Sequence, residues 1–243
     1  MSINDNTIEF SRQIQNMFTA IAPRYDFLNR LLSVGLDRYW RKVAVDVLKP
    51  QSNELIIDVA TGTGDTLMEV ASRDLSIKVF GLDLSWQMLA IARTKILKKG
   101  YSHSTSLQIG NGECLPFTDK AFDGVICAFG IRNFSNINSG LSEFYRILKP
   151  GGRAIILEFS NPTNPTLRLF YNFYFNLLLP KIGNYISGHN KAYSYLPISV
   201  QNFTKKNNFK KLIKETGFKI ASINNISFGI ASIYRVEKIF HEQ

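Results

Sequence analysis

The chain of 243 residues is predicted to be an α/β protein with a mainly parallel, seven-stranded sheet and helices on both of its faces. Three observations predict this fold. Short apolar runs alternate with amphipathic helical patterns between residues 51 and 160, as in repeated strand–helix–strand units. A glycine turn, Thr61–Gly64, joins the first apolar run to a helical pattern. Two β-like runs, 218–223 and 227–236, complete the sheet near the end of the chain.

The region before the first strand, residues 17–50, is predicted to form a helical lid. Apolar residues recur at helical spacing from Met17 onward. Pro23 is expected to break this pattern, and Asp37 is expected to cap a second helix. The alternative is that these helices simply pack on the sheet without a lid function.

The core, residues 51–160, is predicted to bind the cofactor. Ser85 is expected to cap the helix after the second strand, and the run Lys149–Gly152 is expected to end the helix before the fifth strand. The five predicted strands of this region are 55–60, 78–83, 106–109, 124–129 and 153–159.

An insertion at residues 161–203 interrupts the alternation of strands and helices. Its central stretch, 167–179, is apolar nearly all round and rich in aromatic residues, which favours a helical substrate cap over the mouth of the sheet. A packing helix with ordinary aromatic residues is the alternative. Residues 204–243 are predicted to supply a last helix and the final strands, so that residues 1–243 form a single domain.

The glycine turn and two nearby acids predict the type of ligand. Gly62 and Gly64 allow a ligand to approach the backbone, but Leu67 stands where a dinucleotide fingerprint requires a third glycine. Asp58 lies in the first strand and Asp83 ends the second, where a carboxylate can accept both hydroxyls of a ribose. This acidic loop repels phosphate and suits a cationic, ribose-bearing ligand, so we predict S-adenosylmethionine. Any α/β protein with a glycine turn is the alternative.

The charge of the chain predicts an anionic partner. Its formal net charge is +10, and a basic surface of this kind suits nucleic acid, an acidic lipid surface or an acidic substrate. A generally lysine-rich proteome would explain the same charge.

Cysteine and histidine usage indicates no metal site. Cys114 and Cys127 are not spaced as metal ligands, and the three histidines are scattered. Reduced cysteines, an N-terminus without signal-peptide features and the lack of a bilayer-length apolar run predict a cytoplasmic protein.

Several motifs together resemble one enzyme class. The loop 58–64, Asp83, the runs 115–117 and 122–123, and Leu148–Arg153 are similar to class I S-adenosylmethionine-dependent methyltransferases, which have a Rossmann-like fold. Within that class, four stretches resemble the quinone C-methyltransferases of menaquinone and ubiquinone biosynthesis. They are 17–33, 129–133 (Phe-Gly-Ile-Arg-Asn), 157–160 and 193–196.

The resemblance assigns cofactor-binding residues. It implies that Thr63 and Gly64 approach the methionine part, that Asp83 holds the ribose and that Asn111 and Gly112 flank the adenine. Ala128 stands where many relatives carry serine, so that only a backbone contact would remain. The complete expected set is Asp58, Gly62, Thr63, Gly64, Asp83, Asn111, Gly112 and Ala128.

The resemblance also implies a reduced quinol as acceptor, whose ring carbon becomes nucleophilic when a ring hydroxyl loses its proton. Arg132 is the first candidate to stabilise the phenolate, and a structural salt bridge is its alternative. Tyr25 and Asp26 are candidates for closing the site or acting as the base. The alternatives are that Tyr25 packs between helices and that Asp26 is a solvated helix cap. The residues expected to contact the substrate are Phe129, Asn133, Tyr193 and Tyr195. His189 is interpreted as a solvated loop residue rather than a base.

The expected partners are a prenylated quinol and, through the basic charge and segment 167–179, the inner face of the cell membrane. A homodimer is left open, and no nucleic acid is expected. An RNA methyltransferase would require an RNA-binding appendage, which the sequence does not show. A methyltransferase for another small molecule and a non-catalytic cofactor-binding protein are the remaining alternatives.

Overall fold

The computed structural model describes residues 3–74, 76–162, 164–187, 192–206 and 208–239. Within these residues, seven strands form one sheet in the order β3-β2-β1-β4-β5-β7-β6. The strands are β1 Leu55–Val59, β2 Lys78–Asp83, β3 Thr105–Ile109, β4 Phe122–Ala128, β5 Leu148–Phe159, β6 Lys219–Ile226 and β7 Ala231–Glu237.

The pairing of the strands confirms the predicted sheet. β1 to β5 pair in parallel, whereas β7 is antiparallel to β5 and to β6. β1 lies between β2 and β4, so the direction of winding reverses there, and ligands of open α/β sheets bind at such a reversal. The last strand begins later than predicted because Ser227–Gly229 form a 3₁₀ turn.

Helices cover both faces of the sheet. Ile56 points into a cluster with residues of α2, α3 and α4, and Ile57 points into a cluster with residues of α5 and α9. Burial on both faces explains why β1 reads as a nearly continuous apolar run. The described helices are α1 Ile3–Leu32, α2 Leu36–Leu48, α3 Asp65–Ala71, α4 Trp86–Lys99, α5 Ile137–Ile147, α6 Pro165–Phe173, α7 Leu179–Ser187, α8 Ala192–Lys206 and α9 Phe209–Glu215.

The first two helices each correct one prediction. α1 begins at Ile3 and continues through Pro23 without a break. Buried Ile21 and Leu28, on either side of the proline, pack in the same cluster, and we attribute the continuity of the helix to this shared packing. Asp37 does not cap α2, because the cap position is Gly35 and the Asp37 carboxylate instead accepts from Ser33 and pairs with Arg41.

The predicted insertion consists of α6, a π-helical turn at Tyr174–Leu178, α7 and α8. Tyr171, Phe175 and Leu179 turn inward and pack with Ile21 and Leu28 of α1. The insertion and α1 therefore enclose a space above the ends of the parallel strands. Among the described residues, no helix is long and apolar enough to cross a membrane.

Candidate active site

The first of two cavities lies at the ends of β1, β2 and β4, and we call it the loop cavity because it borders the glycine turn. Its volume is about 80 Å³. Five residues expected to bind the cofactor line it: Gly62, Asp83, Asn111, Gly112 and Ala128. Ile14, Gln15 and Phe18 of α1 also line it, so the first helix lies beside this cavity.

Asp83 is held by backbone amides at the edge of the loop cavity. Its Oδ2 accepts from the Gly62 amide at 2.8 Å, and its Oδ1 accepts from the Ser85 amide at 2.8 Å. Burial raises the pKa of Asp83, and these two amide hydrogen bonds oppose the rise. Ser85 also caps α4 as predicted, by accepting from the Met88 amide.

Gly62 adopts a left-handed backbone conformation with φ of 55°. A Cβ built at this position would meet nothing within 4 Å. The glycine therefore satisfies the turn and leaves open space for a ligand against the backbone.

Three of the expected cofactor residues do not line the loop cavity. Gly64 caps α3 instead, and the Thr63 hydroxyl donates to Asp26 at 2.5 Å. Asp58 is 1 % exposed and accepts from the Thr61 hydroxyl at 2.6 Å. Burial, opposed by this hydrogen bond, raises the pKa of Asp58 to about 7. These three residues therefore do not face the space in which a ligand of the loop cavity would lie.

Asp26 belongs to an ionic network outside both cavities. Lys95 of α4 donates to Asp26 at 2.7 Å and to Asp65 at 2.5 Å, and Arg30 pairs with Asp65 at 3.0 Å. Burial is the largest influence on Asp65 and would raise its pKa, but the charge and hydrogen bond of Lys95 and the charges of Arg41 and Arg30 together outweigh it, so the pKa is lowered. This placement favours a role for Asp26 in holding α1 over the turn rather than a role as general base.

The second cavity has a volume of about 240 Å³, and we call it the aromatic cavity. It lies between α1, α2 and the insertion. Four candidate residues line it: Tyr25, Phe129, Arg132 and Tyr195. Asn133 lines the loop cavity instead, and its side-chain oxygen accepts from the Tyr195 hydroxyl at 3.1 Å. The side chain of Tyr193 and all of His189 lie outside the described residues.

The two cavities meet at Phe18, Tyr25 and Phe129, which line both. Phe129 has φ of 59°, a strained conformation for a bulky residue and of the kind that clusters at functional sites. At the next residue, Gly130, a Cβ would lie 2.6 Å from the Ala60 Cβ and 2.9 Å from the Cys127 sulfur. Only glycine therefore lets the chain turn here, where β4 and β1 end side by side.

Arg132 forms a buried ion pair in the wall of the aromatic cavity. Its Nη1 donates to the Glu158 Oε2 at 3.0 Å and to the Phe129 carbonyl at 2.5 Å. The side chains of Arg132 and Glu158 are only 6 % and 0 % exposed. Burial raises the pKa of Glu158, which the Arg132 charge opposes. The salt-bridge alternative for Arg132 is thus present, yet its guanidinium still reaches the cavity.

Tyr25 lies between the two cavities near two cations. Burial raises its pKa, and the charges of Arg41 and Arg132 and a hydrogen bond with Asn29 oppose the rise. Arg41 lies 5.4 Å from the Phe129 ring centroid and pairs with Asp37 at 3.0 Å. The aromatic cavity therefore combines an apolar wall with positive charge.

Sequence reasoning missed Glu158, Arg41 and Tyr171 as residues of this site. Glu158 carried a readable signal, since it is a lone acid in the otherwise apolar run 154–159. Arg41 had no signal, because arginines of amphipathic helices usually face solvent. Tyr171 was one aromatic residue among many in the insertion.

The arrangement places a small, acid-lined cavity directly beside a larger apolar cavity that contains arginine. Only the rings at their shared wall separate the two. Such a pair of cavities can hold a cationic donor and an apolar acceptor in contact, so that a group passes from one to the other.

Comparison with known families gives one full-length match. The model of the ubiE/COQ5 methyltransferase family matches residues 6–238. A ubiquinone/menaquinone biosynthesis C-methyltransferase of Geotalea daltonii is 45 % identical over 231 residues, which cover 95 % of this chain and 98 % of that protein. A demethylmenaquinone methyltransferase of Bacteroides fragilis is 39 % identical over 94 % of this chain and 93 % of its own length.

Solved structures match the fold at much lower identity. The [4+2]-cyclase SpnF gives a TM-score of 0.70 at 16 % identity and covers 95 % of this chain and 97 % of its own. Phosphoethanolamine N-methyltransferase 2 of Haemonchus contortus, in complex with S-adenosyl-L-methionine, gives a TM-score of 0.59 at 17 % identity and covers 82 % of this chain and 52 % of its own. At such identities the likeness shows the fold alone.

Proposed function

The chain belongs to the ubiE/COQ5 methyltransferase family, and we propose that it methylates a ring carbon of a reduced, prenylated quinone in menaquinone or ubiquinone biosynthesis. Its methyl donor is S-adenosylmethionine. The observation that carries the proposal is the contact between the loop cavity and the aromatic cavity at Tyr25 and Phe129.

The residues of the loop cavity fit this donor. Asp83 accepts the ribose, the open space at Gly62 admits the methionine part, and Asn111 and Gly112 flank the adenine. The Asp58 Oδ1 is buried without a hydrogen-bond partner among the described residues. A carboxylate in this state beneath the turn favours a positively charged ligand.

When bound, S-adenosylmethionine supplies a methyl group on a positively charged sulfur. The protein must align that carbon with the acceptor ring and assist the loss of a proton from a ring hydroxyl. The ring carbon would receive the methyl group while the donor leaves as a neutral thioether; the ring carbon would then lose its proton to water, and the ring oxygen would regain its own. Stabilising the phenolate therefore makes the ring carbon nucleophilic.

Arg132 and Tyr25 carry the proposed roles at the junction. The Arg132 charge stabilises the phenolate, and Tyr25 orients the ring beside the donor. Asp26 acts as a positioning residue, because Lys95 and Thr63 already hold its carboxylate. Phe129, Asn133 and Tyr195 shape the acceptor side, and α1 and α2 serve as the lid of a single methyltransferase domain. A homodimer stays a prediction.

Product analysis tests this function. The protein is incubated with methyl-labelled S-adenosylmethionine and with demethylated naphthoquinol or benzoquinol under reducing conditions, and the products are identified by mass. A labelled methyl group on the ring of either quinol is the expected result. If the protein binds the donor but neither quinol gains mass, the acceptor class is wrong.

A membrane surface is a second part of the proposal, supported by an exposed apolar face on α6, the π turn and α7. Phe170 is 67 % exposed and Phe173 is 55 % exposed, although both are large and apolar. Patches of this kind mark interaction surfaces, and the substrate carries an apolar tail. The exposed apolar face consists of Leu169, Phe170, Phe173, Leu177, Leu178 and Ile182.

The charge of the segment that carries this face favours an anionic bilayer. Residues 160–214 contain eight Lys or Arg and no Asp or Glu, whereas the other 188 residues contain 21 basic and 19 acidic residues. Most of the net charge of +10 thus belongs to one segment. Basic residues beside an inserted apolar face each add about 1 kcal/mol of attraction to anionic lipid.

Vesicle flotation tests the membrane surface. Phe170→Glu should lower the bound fraction on vesicles of phosphatidylcholine and phosphatidylglycerol, because it places a carboxylate in the inserted face. Leu97→Glu is the matched control, since Leu97 is 59 % exposed on α4, outside this face. No flotation of the unaltered protein, or equal loss in both variants, would contradict the proposal.

A further inference from the structure

Buried polar atoms without partners point to where a ligand must supply hydrogen bonds. Among the described residues, two such atoms belong to side chains that line the aromatic cavity: the Arg132 Nε and the Tyr171 hydroxyl. Tyr171 is 8 % exposed. A buried donor without an acceptor is unfavourable, and both side chains border a cavity in which a ligand can supply the acceptor.

The two donors lie on one aromatic wall. The Arg132 guanidinium carbon is 5.4 Å from the Phe159 ring centroid, and the Phe159 and Phe175 centroids are 5.8 Å apart. Phe175 in turn stacks on Tyr171, with centroids 4.8 Å apart and an angle of 19° between the rings. A flat aromatic ligand that packs against this wall would lie beside both side chains.

The chemistry of both donors suits an anionic oxygen. Burial raises the pKa of Tyr171 above its ordinary value, so its hydroxyl remains a donor at neutral pH. The positive charge of Arg132 acts on Tyr171, because it opposes part of that rise. A protonated hydroxyl and a guanidinium N–H together favour an oxygen that carries negative charge.

Building on the function given above, we infer that Tyr171 is a substrate-binding residue that, with the Arg132 Nε, holds one ring oxygen of the quinol. The ring carbon then faces Tyr25 and Phe129, where the two cavities meet. This assignment gives the insertion a polar role in recognising the ring, beyond covering it with apolar side chains.

Tyr174 provides a matched control for Tyr171. It lies three residues later and lines the same cavity, but its hydroxyl donates to the Leu32 carbonyl at 2.8 Å. Tyr171→Phe is expected to lower kcat/KM for the quinol at least tenfold and to leave the donor Kd unchanged. Tyr174→Phe is expected to change kcat/KM by less than threefold, and thermal unfolding of both variants reports on folding.

Quinol analogues that lack one of the two ring hydroxyls test whether Tyr171 binds a ring oxygen or only packs against the ring. Their Kd values are measured by calorimetry in the presence of S-adenosylhomocysteine. For the unaltered protein, one of the two isomeric monohydroxy analogues should bind at least fivefold more weakly than the quinol. In Tyr171→Phe that penalty should become markedly smaller, because only the Arg132 Nε still binds that ring oxygen.

Two results overturn the assignment. If Tyr171→Phe keeps the kcat/KM of the unaltered protein, or if it keeps the full penalty for the analogue that the unaltered protein binds weakly, Tyr171 does not bind a ring oxygen. If the unaltered protein binds the donor but methylates no quinol, the proposed function fails and the assignment fails with it.

Discussion

The buried pair of Arg132 and Glu158 makes it difficult to test the arginine by a single substitution. Arg132→Ala would leave the Glu158 carboxylate, which is 0 % exposed, without its partner. Breaking a buried pair in this way costs about 3–5 kcal/mol of stability. A loss of activity would then report unfolding as well as catalysis.

Removing both charges avoids this problem. The double variant Arg132→Met with Glu158→Gln keeps the volume of the pair and leaves no buried charge unpaired, so the protein should fold and bind the donor. Turnover should fall at least tenfold, or about 1.4 kcal/mol in the barrier, because the phenolate loses its cation. Turnover is measured with saturating quinol, and unchanged turnover would rule out the proposed role of Arg132.

Asp58 predicts a pH dependence of stability. Its pKa is about 7 in the folded protein, compared with 3.8 ordinarily. Between these values the folded state keeps a proton that the unfolded state has lost. The free energy of unfolding contributed by Asp58 therefore falls as pH rises from about 4 to 7, by roughly 1.4 kcal/mol per pKa unit.

Asp58→Asn should remove this contribution. Other carboxyls also titrate, so the informative quantity is the difference in melting temperature between the variant and the unaltered protein, both without donor. The variant should gain relative stability as pH rises from 5 to 8. Parallel pH profiles for the two proteins would show that the Asp58 pKa is not raised.

Single residues were predictable where the end of a strand or a turn motif marks them. The position of Asp83 beside the Thr61–Gly64 turn could be predicted because β2 ends there, and its carboxylate accepts from the Gly62 and Ser85 amides. The pairing of Arg132 with Glu158 spans 26 residues and depends on the parallel register of β4 and β5, which no local pattern contains. Tyr171 was recognised as a candidate only because its buried hydroxyl has no hydrogen-bond partner among the described residues.

Helix α1 forms one side of the loop cavity. Gln15 donates to the Leu84 carbonyl at 2.6 Å, and Thr19 hydrogen-bonds with Ser85 at 2.9 Å. Farther along the helix, Asp26 meets Lys95 and Thr63. These polar contacts join α1 to the loops after β1 and β2 and to α4, whereas its apolar side packs against the insertion. Polar contacts of this kind can break and re-form more easily than an apolar core.

Lys95→Met should loosen this attachment. It removes the cation between Asp26 and Asp65, so the open state of α1 becomes more populated. We expect the donor to dissociate about three to ten times faster, as measured by stopped-flow fluorescence. Lys98→Met removes the same charge from an exposed position on the same helix and should leave the dissociation rate unchanged. Equal rates in all three proteins would contradict the lid role of α1.

The elements differ in how well their patterns predicted them. Strands buried on both faces produced continuous apolar runs, and the Ser85 cap was correctly identified. Pro23 was interpreted as a break because local preference disfavours proline inside a helix. Burial of residues on both sides of it outweighed that preference, and this packing arises only in the complete fold.

Basic and acidic residues are distributed unevenly along the chain. The acid-free segment 160–214 includes the exposed apolar face, while acids and bases nearly balance elsewhere. This distribution predicts that binding to anionic vesicles weakens strongly when NaCl rises from 0.1 to 0.5 M, because salt screens the attraction. Weak binding to neutral vesicles should change little over the same range. Salt-independent flotation on anionic vesicles would show that the charge has no role.

The open side of the aromatic cavity has a consequence for the products. Val34 lines this cavity and is 84 % exposed, so the wall ends in an apolar rim at the surface. A chamber of about 240 Å³ is large enough for a head group, so under the proposed function the isoprenoid chain would extend past the rim. Such an enzyme does not measure the length of the chain. Quinols with few or many isoprene units should therefore be methylated alike, and the earlier prenyl transfer then decides the distribution of chain lengths in the cell.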